Sequence, residues 1–171
     1  MEHVSCEPLP NVSAEQPGGR TTVGGIPAGR LTPEQRKLLQ TASELLLRRA
    51  EEGKHHIASA LSTVSGEVFV GLHLSASIGV GSVCAEEVAI GASQLAHDNE
   101  IASIVSVRRV FSEKGDLEIV PPCGRCRQLI LQYGAAASVV LQVHGSPRAV
   151  KVEDILPFPF LRRTRRGEFQ R

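Results

Sequence analysis

The chain has 171 residues, a formal net charge of +1 and 42% hydrophobic residues, which suits one globular domain with a packed core. The near-neutral charge argues against a nucleic-acid binder that is steered by its overall field, and no stretch has the pattern of a membrane span or a signal peptide. We therefore expect a cytoplasmic protein, in which a Cys-x-x-Cys pair is more typical of a metal or redox site than of a disulfide.

Composition divides the chain into three parts. Residues 1–30 are rich in proline and glycine and show little periodic hydrophobicity, which predicts a disordered or extended tail. A domain is expected over residues 31–161. The arginine-rich residues 162–171 predict a basic C-terminal tail.

The predicted elements alternate between helix and strand. Thr32, Pro33 and Gln35 have the spacing of a capping box with proline in the first turn, which predicts a helix that Gly53 ends. The pattern then predicts, in chain order, strands at 56–63 and 68–74, a loop at 75–82, a helix at 83–97, a strand at 101–110, a loop at 111–122, a helix at 123–133, strands at 137–143 and 149–152, and a turn at 153–156. This order predicts an α/β domain, a three-layer α/β/α sandwich around a mixed five-stranded sheet.

Three cysteines lie at the starts of two predicted helices. Cys84 begins one helix, and Cys123 and Cys126 lie three residues apart on another, so that they project from one face. Zinc prefers four ligands in a tetrahedron and is suited by thiolates, which helix N-termini favour. Three protein ligands leave one position open for water, which is typical of a catalytic zinc. We predict one zinc ion per chain.

Glu86 and Arg125 have positions that suit supporting roles in this chemistry. Glu86 is two residues past Cys84, where its carboxylate can take a proton from water at the open position and pass it to a ring nitrogen and a leaving amine. Arg125 lies between two ligands and is the candidate for offsetting the charge of the thiolates. This arrangement of Cys-Ala-Glu with Pro-Cys-x-x-Cys is the zinc deaminase pattern.

Each of these residues also has a simpler structural interpretation. The cysteines could be buried structural thiols or a closed structural zinc site, although Cys6 in the tail is a poor fourth ligand. Glu86 could merely suit the helix dipole. Arg125 could be an ordinary surface residue, and Arg127 and Gln128 are expected to be structural.

These motifs resemble those of the cytidine deaminase superfamily, and in particular the small homotetrameric cytidine deaminases and the blasticidin S deaminases. The resemblance runs from about His56 to Phe160. It rests on the opening hairpin, on Cys-Ala-Glu at 84–86, on Pro-Cys-Gly-Arg-Cys-Arg-Gln at 122–128 in the arginine-containing form of blasticidin S deaminase, and on Ile-Leu-Pro-Phe-Pro-Phe at 155–160. The resemblance implies a homotetramer and places Phe160 near a neighbouring subunit's active site.

The sequence departs from the family at three places. Cytidine deaminases usually have Asn-x-Glu-Asn after the second strand, and the polar groups of this motif bind the ribose. This chain has His-Leu-Ser-Ala at 73–76 instead. Glu87 replaces a frequent arginine, and His55 replaces a frequent aromatic residue. The departures make His55, His73 and Ser75 candidate substrate-contacting residues. Ala85 and Phe160, which lie in the family motifs, are added to them.

The leading hypothesis is hydrolytic deamination of a free nucleoside-like compound. Cytidine or deoxycytidine, a cytosine nucleoside antibiotic such as blasticidin S, and an unrelated aminated heterocycle are all candidates, and the altered ribose motif argues against the first. A nucleic-acid-editing deaminase has only the basic tail in its favour, because stacking aromatic residues are scarce. A non-catalytic ligand-binding protein is a third class, against which the retained Glu86 argues.

Overall fold

The computed structural model describes residues 21–23, 26–110, 116–163 and 169–170, with side chains within 29–110 and 116–161. The helices are α1 (Pro33–Arg49), α2 (Ala85–Leu95) and α3 (Gly124–Tyr133). The strands are β1 (Thr21–Val23), β2 (Ile26–Ala28), β3 (Ile57–Thr63), β4 (Val68–Leu72), β5 (Ile101–Arg109), β6 (Leu117–Ile119), β7 (Ser138–Val143), β8 (Ser146–Lys151), β9 (Arg162–Arg163) and β10 (Phe169–Gln170).

The core of the fold is a mixed sheet with helices on both faces. The strand order is β4-β3-β5-β7-β8, and β6 also pairs with β5. The pairing of β5 with β7 is parallel, whereas the other pairs of this sheet are antiparallel. Helix α1 packs on one face, and α2 and α3 pack on the other. The predicted three-layer α/β/α sandwich is confirmed.

The sheet has six strands rather than the five that the sequence predicts. The additional strand is β6, which lies in the predicted loop at 111–122 and pairs with the end of β5. A strand of three residues is too short to show an alternation of apolar and polar side chains, so the sequence does not reveal it. It forms through its pairing with β5. Residues 111–115 of that loop lie outside the described residues.

Helix α1 begins as its sequence predicts. Thr32 Oγ1 accepts a hydrogen bond from the Gln35 amide at 3.3 Å, and Gln35 Oε1 accepts one from the Thr32 amide at 3.0 Å, which is the predicted capping box. The helix ends at Arg49, before the predicted stop at Gly53. Gly53 has a φ of 76° in the following turn, a conformation that glycine adopts at little cost.

The two predicted tails are described only in part. Residues 1–20 lie outside the described residues. The strands β1 and β2 pair within the rest of the N-terminal segment, and Gly29 exchanges two backbone hydrogen bonds with Ala149 of β8, at 2.8 and 2.9 Å. In the basic segment, β9 pairs with β10. None of the described helices is long and apolar enough to cross a membrane.

Gly71 of β4 allows α2 to lie very close to the sheet. A Cβ atom at this position would stand 2.3 Å from the Ala85 carbonyl oxygen and 2.6 Å from the Ala89 amide nitrogen. Both are backbone atoms, so the helix itself would have to move. Because α2 follows directly from Cys84 and carries Glu86, this close approach fixes the position of two candidate site residues.

We expect the Gly71→Ala substitution to lower the free energy of unfolding by about 1–3 kcal/mol or more, as overpacking does. Gly91→Ala is the matched control, because Gly91 lies in α2 and a Cβ atom added there would meet no neighbouring group. That control should raise stability by about 0.5–1 kcal/mol. Denaturant unfolding of both variants checks this, and equal effects would contradict the close packing.

Candidate active site and metal centre

The three predicted ligand cysteines converge at the starts of α2 and α3. Cys84 and Cys123 immediately precede the two helices, and Cys126 lies in the first turn of α3. The Sγ atoms of Cys84 and Cys123 are 4.0 Å apart, those of Cys123 and Cys126 are 3.5 Å apart, and all three lie within 4.8 Å of one another. Tetrahedral zinc with bonds of about 2.3 Å requires sulfur atoms about 3.8 Å apart, so the donor set fits zinc.

The three thiols differ in their surroundings. Cys126 is fully buried, and burial raises its pKa. Burial also raises the pKa of Cys84. Cys123 experiences the same burial effect, but hydrogen bonds from the Cys126 amide and from its neighbouring thiols lower its pKa overall. Of the three thiols, Cys123 is the one whose surroundings lower its pKa.

The Glu86 carboxyl lies buried beside the thiols. Its residue is only 4% exposed. Burial raises its pKa, while hydrogen bonds that include the Ser106 hydroxyl and the Cys126 thiol partly offset this effect. A buried carboxyl with a raised pKa beside a candidate metal site is typical of a group that accepts and releases protons in catalysis.

Two buried serines behind Glu86 have no counterpart in the sequence predictions. Ser106 Oγ is 3.2 Å from Ser59 Oγ, and the Ser59 hydroxyl donates to the Val105 carbonyl oxygen at 3.0 Å. Both serines are at most 3% exposed. They lie on neighbouring strands β3 and β5, and only the pairing of these strands brings them together, so no local motif could have identified them.

Arg125 lies over the site and pairs with Glu87. Its Nη2 atom is 4.0 Å from Cys84 Sγ and 2.6 Å from Glu87 Oε2. The neighbouring Glu87 carboxylate and the Cys84 sulfur raise the pKa of Arg125, so the guanidinium remains charged. The sequence treats Glu87 only as a departure from the family, although its position three residues after Cys84 is typical of a helix-capping carboxylate.

The two predicted substrate-contacting histidines lie close together. His55 Nδ1 is 2.8 Å from the His73 carbonyl oxygen, and the His73 ring lies 5.5 Å from the His56 ring. Burial, followed by the two neighbouring histidines, lowers the pKa of His73. The Nδ1 atom of His73 is buried without a hydrogen-bond partner. Ser75 is exposed, with its amide bonded to the Lys54 carbonyl oxygen at 3.1 Å.

A cavity of about 560 Å³ opens at the same end of the sheet. It is lined by Ala50, Glu52, Gly53, His55, His56, Ile57, Arg108 and Arg109. Its volume is in the range of small-molecule sites. Its lining includes His55 but none of the three cysteines or Glu86, so the cavity adjoins the histidines rather than the thiols.

The remaining predicted residues have different environments. Phe160 is 78% exposed, and both its backbone amide and its carbonyl oxygen are bonded to the Gln128 side chain, at 2.8 and 2.9 Å. Arg127 donates to the carbonyl oxygens of Pro122 and Ile155. Ala85 is fully buried, and its carbonyl oxygen lies against Gly71 of β4, so the described structure does not expose it to a substrate.

Comparison with known proteins agrees with this geometry. The sequence pattern of the cytidine and deoxycytidylate deaminase zinc-binding region matches residues 32–142. A blasticidin-S deaminase from Bacillus cereus is 31% identical over 134 residues, which cover 77% of this chain and 96% of that protein.

Solved structures of cytidine deaminases have the same fold. The enzyme from Burkholderia pseudomallei is 26% identical, with a TM-score of 0.61 and coverage of 76% of this chain and 100% of that one. The enzyme from Bacillus anthracis is 15% identical, with a TM-score of 0.64 and coverage of 73% and 88%, and it supports the fold alone. The three-cysteine site at two helix starts and the match over most of the domain establish that the chain belongs to the cytidine and deoxycytidylate deaminase family, as a zinc-binding hydrolytic deaminase.

Proposed function

We propose that this protein catalyses the zinc-dependent hydrolytic deamination of a cytosine-type nucleoside, or of a nucleoside-like aminated heterocycle, with release of ammonia. The observation that carries this proposal is the buried Glu86 carboxyl, which is close enough to the Cys126 thiol for each group to affect the pKa of the other, beside a three-cysteine cluster that fits zinc. Burial of an ionisable group beside a metal site is costly for stability and is typical of a catalytic group.

The proposed roles follow from these positions. Cys84, Cys123 and Cys126 would hold one zinc ion, which as a Lewis acid would make water nucleophilic near neutral pH. Glu86 takes a proton from the attacking water and delivers protons to the ring nitrogen and to the leaving amine, so that the water oxygen replaces the amino group on the ring carbon and ammonia leaves. Arg125 offsets the negative charge of the thiolates.

We further propose that the histidine-containing segment sets the substrate. His73 and Ser75 stand where cytidine deaminases usually have the ribose-binding asparagine and glutamate. The unpartnered Nδ1 atom of His73 offers one hydrogen bond. His55, in the wall of the cavity, offers a flat ring beside the same position. We propose that these residues recognise a modified sugar or a non-sugar substituent rather than plain ribose, with Phe160 completing the pocket.

A deaminase that inactivates blasticidin S or a related antibiotic is the second candidate. It is favoured by the 31% identity to the Bacillus cereus blasticidin-S deaminase and by the arginine between the second and third thiols. We also propose a homotetramer, by resemblance to the small cytidine deaminases, and a cytoplasmic location, where the free thiols remain reduced. Nucleic acid is not expected as a partner.

The direct test measures ammonia release from a panel of cytidine, deoxycytidine, cytosine, blasticidin S, adenosine, guanine and several aminopyrimidines, after zinc content is determined. We expect release from at least one cytosine-type compound and little from plain cytidine. Fast release from blasticidin S alone would select the second candidate. Release only from single-stranded DNA or RNA would overturn the proposal in favour of a nucleic-acid editor, and zinc binding without any release would indicate a binding protein.

Exchanging the altered segment should restore ribose recognition. The triple substitution His73→Asn, Ser75→Glu, Ala76→Asn is expected to raise kcat/KM for cytidine at least about tenfold, because each new hydrogen bond to a hydroxyl contributes about 1 kcal/mol. Ser77→Asn, at an exposed neighbouring position, is the control and should change nothing. An unchanged kcat/KM in a folded, zinc-containing triple variant would contradict the proposed role of this segment.

A further inference from the structure

A carboxylate next to a cluster of thiolates is unexpected on electrostatic grounds. Glu87 lies at the third position of α2, and its side chain is only 17% exposed. Thiolates and a carboxylate repel one another, so Glu87 alone would disfavour the charged state that binds zinc. Its presence therefore requires an interaction that outweighs this repulsion.

One oxygen atom of Glu87 connects the two helix starts. Oε2 accepts a hydrogen bond from the Cys84 amide at 3.1 Å and another from Arg125 Nη2 at 2.6 Å. The same Nη2 atom is 4.0 Å from Cys84 Sγ. The Cys84 amide therefore fixes the Glu87 carboxylate. The carboxylate in turn fixes the Arg125 guanidinium near the sulfur atom of Cys84.

We propose that Glu87 is a positioning residue that holds the Arg125 guanidinium at the Cys84 thiolate. This inference rests on the proposed function, because it takes Arg125 as the group that offsets the thiolate charge. The Arg125 side chain is 57% exposed and has several rotatable bonds, so without an anchor it would spend much of its time in solvent. A charge-assisted hydrogen bond to a carboxylate that is itself fixed removes that freedom.

Stability alone does not explain this pair. An ion pair with one largely exposed partner contributes little to folding. Glu87 could still serve only as the capping residue of α2, through its bond to the Cys84 amide. The two roles differ in one respect: a capping residue acts independently of Arg125, whereas a positioning residue no longer helps to retain zinc once Arg125 is absent.

A double-mutant cycle on the zinc-loaded protein separates these roles. The variants are Glu87→Ala, Glu87→Gln, Arg125→Ala and the double variant Glu87→Ala/Arg125→Ala. For each we would measure the rate of zinc transfer to a chromogenic chelator, kcat and KM for the best substrate, and the thermal unfolding midpoint. The chelator rate requires no turnover and therefore tests the inference independently of the substrate.

We expect Arg125→Ala to speed zinc transfer about tenfold, which lies within the coupling energies of contacting residues. Glu87→Ala should give most of this effect, although it removes a negative charge. In the Arg125→Ala background, Glu87→Ala should leave zinc transfer unchanged or slow it, because only the repulsion remains. Glu87→Gln keeps an acceptor oxygen, so its rate of zinc transfer should stay close to the wild-type rate.

Two results would overturn the inference. One is that the separate effects of Glu87→Ala and Arg125→Ala on zinc transfer multiply in the double variant. The other is that Glu87→Ala lowers the unfolding midpoint equally in both backgrounds while zinc transfer stays unchanged, which indicates capping alone. If Arg125→Ala itself changes neither zinc transfer nor kcat, the proposed role of Arg125 fails, which is a different outcome from failure of the role of Glu87.

Discussion

Glu86→Gln is expected to lower the rate of ammonia release by about 10²–10⁴-fold while zinc stays bound. This is the range that a positioned general acid–base contributes, and glutamine cannot transfer the proton. The KM of the best substrate should change much less than kcat, because the amide fills the same space. The measurement is steady-state ammonia release, with zinc content determined on the same sample.

Stability provides an independent check on this first prediction. Burial raises the pKa of Glu86, so the folded protein disfavours its charged form, and a neutral amide should unfold at the same temperature or a higher one. Glu67→Gln is the matched control, since Glu67 is exposed in the turn between β3 and β4. A variant at Glu86 that retained nearly full activity would show that another group moves the proton.

Removal of zinc is expected to abolish activity and to lower the free energy of unfolding by about 4 kcal/mol when free zinc had been a thousandfold above its Kd. The metal would connect the starts of α2 and α3, so its loss removes a connection between two helices that lie far apart in the sequence. Chelation followed by denaturant unfolding measures the stability, and added zinc should restore both properties.

A substitution of one ligand should reproduce this loss. Cys126→Ser is the most severe choice, because Cys126 is fully buried and a serine hydroxyl is a poor zinc ligand. Cys6→Ser is the control, because Cys6 belongs to the predicted N-terminal tail and is not expected to bind metal. Full zinc content in the Cys126→Ser variant would mean that the three-thiol cluster is not the metal site.

Local signals in the sequence account for much of this fold. The capping box of Thr32 and Gln35 predicts the start of α1, and the alternation on both sides of residues 65–66 predicts the hairpin of β3 and β4. The cysteine spacing predicts a three-thiol cluster because each thiol lies at a helix start, and the topology brings both starts to one end of the sheet. The helix start and the hairpin depend on residues close in sequence, whereas the thiol cluster also depends on the topology, because Cys84 and Cys123 are 39 residues apart.

Features that depend on distant partners could not be predicted in the same way. The strand β6 has three residues and exists through its pairing with β5. Ser106 meets Ser59 only because of the register between β3 and β5. In the sequence, Glu87 is visible only as a mismatch to the family. That its carboxylate meets the guanidinium of Arg125 from another helix is visible only in the structure. The charge of a side chain can be read from the sequence, but the contacts that it makes with distant residues cannot.

The pairing of Gly29 with Ala149 has a practical consequence for shortening the chain. The outer edge of β8 would otherwise present unpaired backbone groups, and the N-terminal segment occupies part of that edge. Exposed strand edges are templates for intermolecular sheet growth. Truncation at the compositional boundary near residue 31 would keep every candidate active-site residue but uncover this edge, so we expect such a fragment to retain its chemistry and to aggregate more readily than the full chain.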